Sequence, residues 1–212
     1  QLADLGARVI KIERPGDGDF ARGYDSTVMG QSSFFVWCNR GKESLALDLK
    51  QPGSMPVLDR LLERCDVFIQ NLAPGAAARM GLDYDSLREK YPRLIVCVIS
   101  GYGEGGPYSD KKAYDLLVQA ASGLISVTGT PDAPARTGIS IADISAGMYA
   151  YSGILSALLQ RGHTGQGMRV EVSMLEALTE WMSYPLNFSH YGGSAPVRTK
   201  PTHTCRKRKH IR

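Results

Sequence analysis

One acidic residue, Asp143, is the first candidate for chemistry in this chain. It lies in segment 138–174 among apolar neighbours that include Ile141, Ile144 and Met148. Small residues follow it and open a long apolar stretch, so its carboxylate is predicted at the start of a helix. Such a carboxylate is either an N-cap, here of a helix beginning at Ile144, or a reactive group. A cap is the commoner use of Asp at a helix start, and the local sequence leaves both uses open.

The elements that must position this residue indicate an α/β fold. Alternating or continuous apolar runs predict strands at residues 8–13, 43–49, 66–70, 94–99 and 169–173. Helical spacing predicts helices from residue 51, around Arg79, at 84–91, at 116–125, from 144 to a turn at 163–167, and at 174–184. Because strands alternate with helices, we predict a Rossmann-like parallel sheet with flanking helices.

Polar side chains follow several of the predicted strands. Arg14, Lys50 and Asn71 come at three strand ends, and a glycine-rich loop follows Ile99. Ligands of parallel α/β sheets usually lie beyond the carboxyl ends of the strands. Basic and amide side chains at these ends would suit an anionic, polar ligand.

The loop after Ile99 matches the G-x-G-x-x-G pattern from Gly101 to Gly106. That pattern is typical of dinucleotide sites when the glycines open a helix. Here Pro107 delays the next helix, and no acidic residue closes a following strand, so a dinucleotide site is disfavoured. A loop that covers a substrate is the preferred interpretation, and a plain surface turn is the alternative.

Composition excludes several classes of protein. Hydrophobic residues make up 43% and charged residues 22% of the 212 residues, as in ordinary globular proteins. No apolar run is long enough for a membrane span. The four cysteines are scattered, with no Cys-x-x-Cys pair and no histidine cluster, which argues against a metal site and against disulfides. We therefore expect a cytoplasmic protein with no membrane partner.

The net charge of +4 belongs to the C-terminal end. Seven of the 25 Lys and Arg residues lie in segment 198–212, which contains no acid, so the remaining 18 face 21 acidic side chains. The body of the chain is mildly acidic, which argues against nucleic-acid binding. A basic end of this kind is also typical of a nuclear-import or nucleic-acid tail, an interpretation that we disfavour.

Six separated motifs, in order over about residues 1–190, resemble the class III CoA-transferase family of the CaiB/BaiF type. This family includes formyl-CoA transferases and α-methylacyl-CoA racemases. The motifs are LGARVIKIERPGDGD, NRGKESLALDLK, NLAPGAAARMGLDYDSL, PRLIVCVISGYGEGGPY, KKAYDLLVQAASGL and ADISAGMYAYSGILSALLQRGHTGQGMRVEVSMLEA.

The resemblance implies the large α/β domain of an interlocked homodimer. On this basis residues 1–190 form the CoA-transferase domain, with its first strand missing. Residues 191–212 are expected to be an irregular basic tail, non-native or disordered. Family chains continue into a second, smaller domain, so the chain is expected to be shortened at both ends.

The resemblance also implies the reaction. Family members move CoA from an acyl-CoA donor to a small carboxylic acid, with a dicarboxylic acid as one option, and hold no permanent cofactor. Asp143 stands at the nucleophile position, which predicts an aspartyl mixed anhydride and an aspartyl-CoA thioester. The helix N-terminus is expected to keep Asp143 ionised, and main-chain N–H groups near residues 101–106 are candidates for stabilising the oxyanion. The implied CoA contacts are Arg14, Leu47, Asp48, Leu49, Lys50, Asn71, Leu72, Ala73, Arg79, Lys112, Ala113, Tyr114 and Asp115.

Tyr114 separates two branches of the family. The racemases carry a histidine at this position, because racemisation needs two acid/base groups on opposite faces of a carbon. The tyrosine favours a transferase. An acyl-CoA racemase or epimerase, and an inactive truncated CoA-binding fragment, remain the alternatives.

Overall fold

The computed structural model describes residues 1–198, and the chain divides into two compact units. The first unit is Gln1–Cys65, and the second begins at Asp66. Each is described by itself below.

The first unit is built on two parallel strands. A short 3-10 helix, Ala3–Leu5, ends at Gly6 with φ 94° and leads into β1, Val9–Glu13. A second 3-10 helix, Phe20–Gly23, precedes helix α1, Ser33–Asn39, strand β2, Lys42–Ala46, and helix α2, Ser54–Leu62. β1 and β2 pair in parallel, with Glu13 opposite Ala46.

A buried carboxylate, Glu13, holds the end of β1. Only 6% of Glu13 is exposed, and the guanidinium of Arg22 donates two hydrogen bonds of 2.9 Å to its carboxylate. Ser44 Oγ and the Asp19 N–H donate two more, at 2.8 and 3.0 Å. These donors, the Arg22 guanidinium first, lower the pKa of Glu13 from 4.5 to about 2. The paired charge connects both strands to the loop that follows Arg14.

The second unit contains a three-stranded parallel sheet. Its elements are β3 Val67–Gln70, α3 Ala76–Arg79, α4 Tyr84–Lys90, β4 Ile95–Ser100, α5 Asp115–Ala121, α6 Leu124–Val127, β5 Gly129–Thr130, β6 Ala133–Pro134, α7 Ile141–Thr164, β7 Arg169–Ser173, α8 Met174–Trp181 and α9 Ser183–Gly192. The strand order is β3-β4-β7, and both pairings are parallel. β4 is central, and its residues Ile95, Val96 and Cys97 are buried, as its unbroken apolar run predicts.

Small residues let α7 pack closely on this sheet. Ala142, Ala146 and Ala150, each four residues apart, are buried along one side of the helix. A Cβ added at Gly153 would lie 2.8 Å from Val170 Cγ1 of β7, so glycine permits the approach of helix to strand. The start of α7 packs with Val118 of α5 and Leu178 of α8 in one buried cluster. The position of Asp143 is therefore set by the core.

The predicted α/β class with a parallel sheet and flanking helices is confirmed. Several boundaries differ. β2 ends at Ala46 rather than at residue 49, and the predicted helix 116–125 divides at Gly123, whose φ of 83° interrupts the α-helix. The predicted loop 128–136 contains the hairpin of β5 and β6.

The C-terminal boundary differs by two residues in the described part. α9 runs to Gly192, whereas the irregular tail was predicted from residue 191. Residues 193–198 are irregular. The rest of the predicted tail, residues 199–212, lies outside the described residues. No helix within residues 1–198 is long and apolar enough to cross a membrane.

Candidate functional site

Asp143 is the third residue of α7, not its N-cap. Ser140 occupies the N-cap position, and the N–H of Ile144 donates to the Ser140 carbonyl at 3.0 Å. The cap interpretation is therefore wrong, because the helix begins three residues earlier than the local pattern predicts. Asp143 is exposed, and its carboxylate makes no hydrogen bond or ion pair within residues 1–198. This leaves the carboxylate open to a ligand.

The environment of Asp143 raises the pKa of its carboxyl group. The neighbouring chain removes water from the carboxylate, and the negative charge of Asp115 adds a smaller effect in the same direction. The sequence predicts that the helix N-terminus keeps Asp143 ionised, and that stays a prediction. The shift itself runs against the direction that a helix dipole alone would give, because desolvation and the like charge of Asp115 both disfavour the anion. A raised pKa makes the ionised carboxylate more basic.

Asp115 connects α5 to the start of α7. Its Oδ1 accepts the N–H of Ala142 at 2.8 Å, and its Oδ2 accepts Gln119 Nε2 at 2.6 Å. Gln119 Oε1 in turn accepts the N–H of Thr137 at 3.0 Å. We call these four residues, Asp115, Gln119, Thr137 and Ala142, the Asp115 network. It fixes the residue immediately before Asp143.

Sequence reasoning missed Gln119, which is completely buried. A signal was present, because Asp115 directly precedes the predicted helix 116–125 and Gln119 follows four residues later, a spacing that places two side chains on one face of a helix. A glutamine beside Val118 in an otherwise apolar segment needs a buried hydrogen-bond partner.

The carboxyl edge of the sheet brings several predicted site segments together. Because the three strands are parallel, Asn71, Gly101 and Met174 follow them at the same edge. A Cβ added at Gly101 would lie 2.1 Å from the Ala113 Cβ, so the glycine permits direct packing against segment 112–115. The structure thus joins this segment to the glycine loop on one side and, through Asp115, to α7 on the other.

The predicted contacts near β3 are exposed. The Leu72 N–H donates to Gln70 Oε1 at 2.7 Å, which orders the turn that carries Asn71, Leu72 and Ala73. Arg79 lies at the end of α3 and folds back on Gly75, where an added Cβ would lie 3.0 Å from its guanidinium. Both groups remain accessible to a ligand.

The four side chains of segment 112–115 lie in different environments. Lys112 is exposed, and Tyr114, in extended conformation before α5, is 66% exposed. Ala113 packs on Gly101. Each Asp115 carboxylate oxygen already accepts a hydrogen bond from the chain.

The remaining predicted contacts belong to the first unit. Arg14 and Leu47 follow the parallel strands β1 and β2, and the Leu47 N–H donates to the Glu13 carbonyl at 2.8 Å. Arg14 Nε donates to the Gly18 carbonyl at 2.7 Å. Asp48 Oδ1 accepts the Lys50 N–H at 3.0 Å, which shapes the turn through Leu49. These residues form one group at the carboxyl end of the two strands.

Four of the basic residues for which no ion pair is found in the described part of the chain are predicted CoA contacts. They are Arg14, Lys50, Arg79 and Lys112. Six other cations form ion pairs: Arg8, Lys11, Arg22, Arg40, Arg161 and Arg169. The four unpaired side chains could therefore bind anionic groups such as phosphates without first breaking an ion pair.

The glycine loop is held at two points. The Gly103 N–H donates to Ser100 Oγ at 3.1 Å, and Glu104 forms an ion pair of 2.6 Å with Arg169 of β7. Because the Gly103 N–H already has an acceptor, other N–H groups of the loop are the better candidates for an oxyanion. That role stays a prediction. Within residues 1–198, no group of three acidic, His or Cys side chains is arranged to hold a metal ion.

Comparison with known families agrees with the motifs. The family model of CoA-transferase family III matches residues 1–208. The chain belongs to this family. The prediction drawn from the six motifs is confirmed.

Individual relatives give the same result. Over 204 residues, 95% of the chain and 52% of the relative, the chain is 41% identical to the acetyl-CoA:oxalate CoA-transferase of Acetobacter aceti. It is 38% identical to the human succinyl-CoA:glutarate CoA-transferase over 185 residues, 86% of the chain and 42% of the relative. The chain thus spans about half the length of the curated relatives that it matches.

A solved structure shows the same fold. The crystal structure of a CAIB/BAIF family protein from Brucella suis superposes with a TM-score of 0.87 at 35% sequence identity. The superposition covers 93% of this chain and 54% of that one. The parallel sheet and the long helix α7 therefore belong to the family fold.

Proposed function

We propose that the protein transfers CoA from an acyl-CoA donor to a small dicarboxylic acid, with Asp143 as the attacking group. The observation that carries the proposal is the exposed Asp143 carboxylate, which has no partner within residues 1–198. Family membership supports the reaction type. The names of two relatives, which pair a CoA thioester with oxalate or glutarate, support the class of acid.

The proposed reaction exchanges bonds at three carbonyl carbons, those of the donor acyl group, of Asp143 and of the acceptor acid. An Asp143 oxygen attacks the thioester carbonyl, the C–S bond breaks, and a mixed anhydride and CoA thiolate form. The thiolate then attacks the aspartyl carbonyl, which releases the donor acid and leaves an aspartyl-CoA thioester. The acceptor carboxylate attacks this thioester, the C–S bond breaks, and a second anhydride and free CoA thiolate form. Attack of the thiolate on the acceptor carbonyl gives the new acyl-CoA and regenerates Asp143.

The net charge stays constant through these reaction steps. One negative charge passes between carboxylate and thiolate at every step, so no proton must be supplied. The raised pKa of Asp143 supports the proposal, because a more basic carboxylate is a stronger nucleophile. No step requires a metal or a redox cofactor.

We assign the binding of the CoA phosphates to Arg14, Lys50, Arg79 and Lys112. Each is exposed and has no ion-pair partner among residues 1–198. The rest of the CoA molecule would contact the main chain of segments 47–50, 71–73 and 112–114. Permanent cofactors are not part of the proposal.

A homodimer is the proposed assembly, as expected for the family. Large apolar side chains are exposed on α7 and α9, with Leu159 72%, Tyr184 72% and Tyr191 83% exposed. Surfaces of this kind are typical of protein interfaces. Sedimentation equilibrium at micromolar concentration tests this assembly, and a monomer would contradict it.

Epimerisation is disfavoured at the same site. Tyr114 occupies the position where the racemases carry a histidine, and it is a poor base at neutral pH. Incubation of a chiral 2-methylacyl-CoA in deuterated water distinguishes the two activities. Exchange of the α-hydrogen would support the epimerase and count against the transferase.

The main test is to trap the acylated enzyme. The protein that contains this chain is mixed with succinyl-CoA, quenched with hydroxylamine, digested and analysed by mass spectrometry. We expect an aspartyl hydroxamate in the peptide that contains Asp143. Asp143→Asn should abolish it, and the exposed-loop variant Asp132→Asn should retain it.

Two outcomes would overturn the proposal. An adduct that persists in Asp143→Asn places the nucleophile elsewhere. A protein that binds CoA by calorimetry yet forms no adduct is the inactive CoA-binding fragment.

A further inference from the structure

We propose that Asp115 and Gln119 are positioning residues, which hold the first turn of α7 so that Asp143 faces the acyl carbonyl. The inference rests on the proposed function. It assigns to Asp115 a role within the chain, in place of a contact to CoA, and it assigns a role to Gln119, which no sequence motif singles out.

Asp115 supplies an acceptor for the Ala142 N–H in the first turn of α7. The first N–H groups of an α-helix have no acceptor within the helix. Asp115 Oδ1 accepts the Ala142 N–H at 2.8 Å, although Asp115 lies 27 residues earlier in the chain. A carboxylate from another segment therefore caps α7, while Ser140 at the N-cap position contributes no side-chain hydrogen bond. Since Asp143 is the next residue, this bond fixes the main chain from which the Asp143 side chain projects.

Two hydrogen bonds determine the orientation of the Gln119 amide. Its Oε1 accepts the Thr137 N–H at 3.0 Å, so its Nε2 must point to Asp115 Oδ2. The opposite amide orientation would place Nε2 against an N–H and Oε1 against a carboxylate. Because Gln119 is completely buried, water cannot replace either bond. Gln119 therefore fixes the rotamer of Asp115 and the segment that precedes α7.

Both carboxylate oxygens of Asp115 are bound within the chain. Each Asp115 oxygen already accepts a hydrogen bond from the chain, one from α7 and one from Gln119. A contact from Asp115 to CoA would have to use the remaining lone pairs of oxygens whose direction these two bonds already set. The negative charge of Asp115 also acts on Asp143 and raises the pKa of its carboxyl group, after the larger effect of partial burial. The same side chain thus orients the nucleophile and increases its basicity.

The hydrogen-bond polarity of the pair suggests a reciprocal test. In Asp115→Asn the new amide presents an NH₂ group to Gln119 Nε2, so two donors face each other. In Gln119→Glu two carboxylates face each other. The double variant Asp115→Asn/Gln119→Glu restores one donor and one acceptor and still offers an oxygen to the N–H groups of Ala142 and Thr137. The controls are Asp132→Asn and Gln160→Glu, which change the same groups at exposed positions.

We expect kcat of the protein that contains this chain to fall about tenfold to a hundredfold in each single variant. KM for acyl-CoA should stay within about threefold of wild type, because CoA does not contact this carboxylate. The double variant should recover most of kcat, since the two sites are coupled. A rise in KM with unchanged kcat, or a double variant no better than the singles, would overturn the proposal.

Amide hydrogen exchange supplies a readout that needs neither activity nor a stable single variant. In the wild type the Ala142 N–H should exchange more slowly than the adjacent Asp143 N–H, which has no acceptor in residues 1–198. The double variant should keep this difference. Equal exchange at the two amides would overturn the proposal. Failure of the proposed function is distinct, because it appears as a wild-type protein that forms no adduct on Asp143.

Discussion

Substitution of Gly101 by alanine is the most direct perturbation of the packing that supports the site. The added Cβ would lie 2.1 Å from the Ala113 Cβ, and ordinary contact between such atoms begins at 3.4 Å. The two segments must therefore separate by about 1.3 Å, because carbon atoms at shorter distance repel strongly. Overpacking of this kind destabilises a protein by about 1–3 kcal/mol.

The displacement should reach Asp143 through the Asp115 network. Ala113 is two residues from Asp115. The hydrogen bond of 2.8 Å from the Ala142 N–H to Asp115 means that a shift of Asp115 either moves the start of α7 or breaks this bond. A shift of about 1 Å in a reacting group can cost a hundredfold in rate. We therefore expect Gly101→Ala to lower kcat by about a hundredfold, with a smaller effect on the affinity for CoA.

The assay measures kcat for CoA transfer and thermal unfolding for Gly101→Ala beside a matched control, Gly162→Ala. A Cβ at Gly162, inside α7, meets no atom within 4 Å. This control should keep wild-type activity and gain up to about 1 kcal/mol, because alanine is the better helix former. If Gly101→Ala matched Gly162→Ala in both kcat and unfolding temperature, the argument from close packing would be refuted.

Two further predictions concern charge. Glu13 has a pKa of about 2 in the folded chain against an ordinary 4.5, so its contribution, at most about 3 kcal/mol, is present above pH 4.5 and lost as pH falls toward 2. Urea unfolding at pH 7 and pH 3 should show this loss in the wild type and a smaller one in Glu13→Gln; equal losses would contradict the assignment. Lys112→Ala should weaken CoA binding about tenfold by calorimetry, because an unpaired cation is removed from a phosphate. Lys90→Ala, on α4, should bind as wild type, and equal weakening in both variants would remove Lys112 from the CoA site.

The sheet could be predicted from sequence because its signals are local. The unbroken apolar run of β4 and the alternation of polar and apolar residues in β7 each predict a strand. The strand ends at Asn71 and Gly101 follow from the apolar runs before them. The sequence also predicts that Asp143 lies near the start of a helix. These features need only a few neighbouring residues and the rule that parallel strands share one edge.

The start of α7 and the electrostatics of the site could not be predicted in this way. α7 begins at Ile141, and its first turn is capped by Asp115, which lies 27 residues before Ala142 and accepts the Ala142 N–H. No residue type near the start of α7 indicates such a cap. The direction of the Asp143 pKa shift depends on desolvation of its carboxylate by the surrounding chain and, to a smaller extent, on the negative charge of Asp115. Gln119 was missed because its role appears only when Thr137 and Asp115 are brought together. Long-range contacts decide all three.

The most direct test of the central claim follows oxygen atoms through the reaction. In the proposed sequence an acceptor carboxylate attacks the aspartyl thioester, and one of its oxygens remains on Asp143 when the new acyl-CoA leaves. After turnover with ¹⁸O-labelled glutarate and succinyl-CoA, mass spectrometry should find ¹⁸O in the peptide that contains Asp143 and in no other acidic peptide. Turnover without label in that peptide would contradict the assignment of Asp143 as the nucleophile.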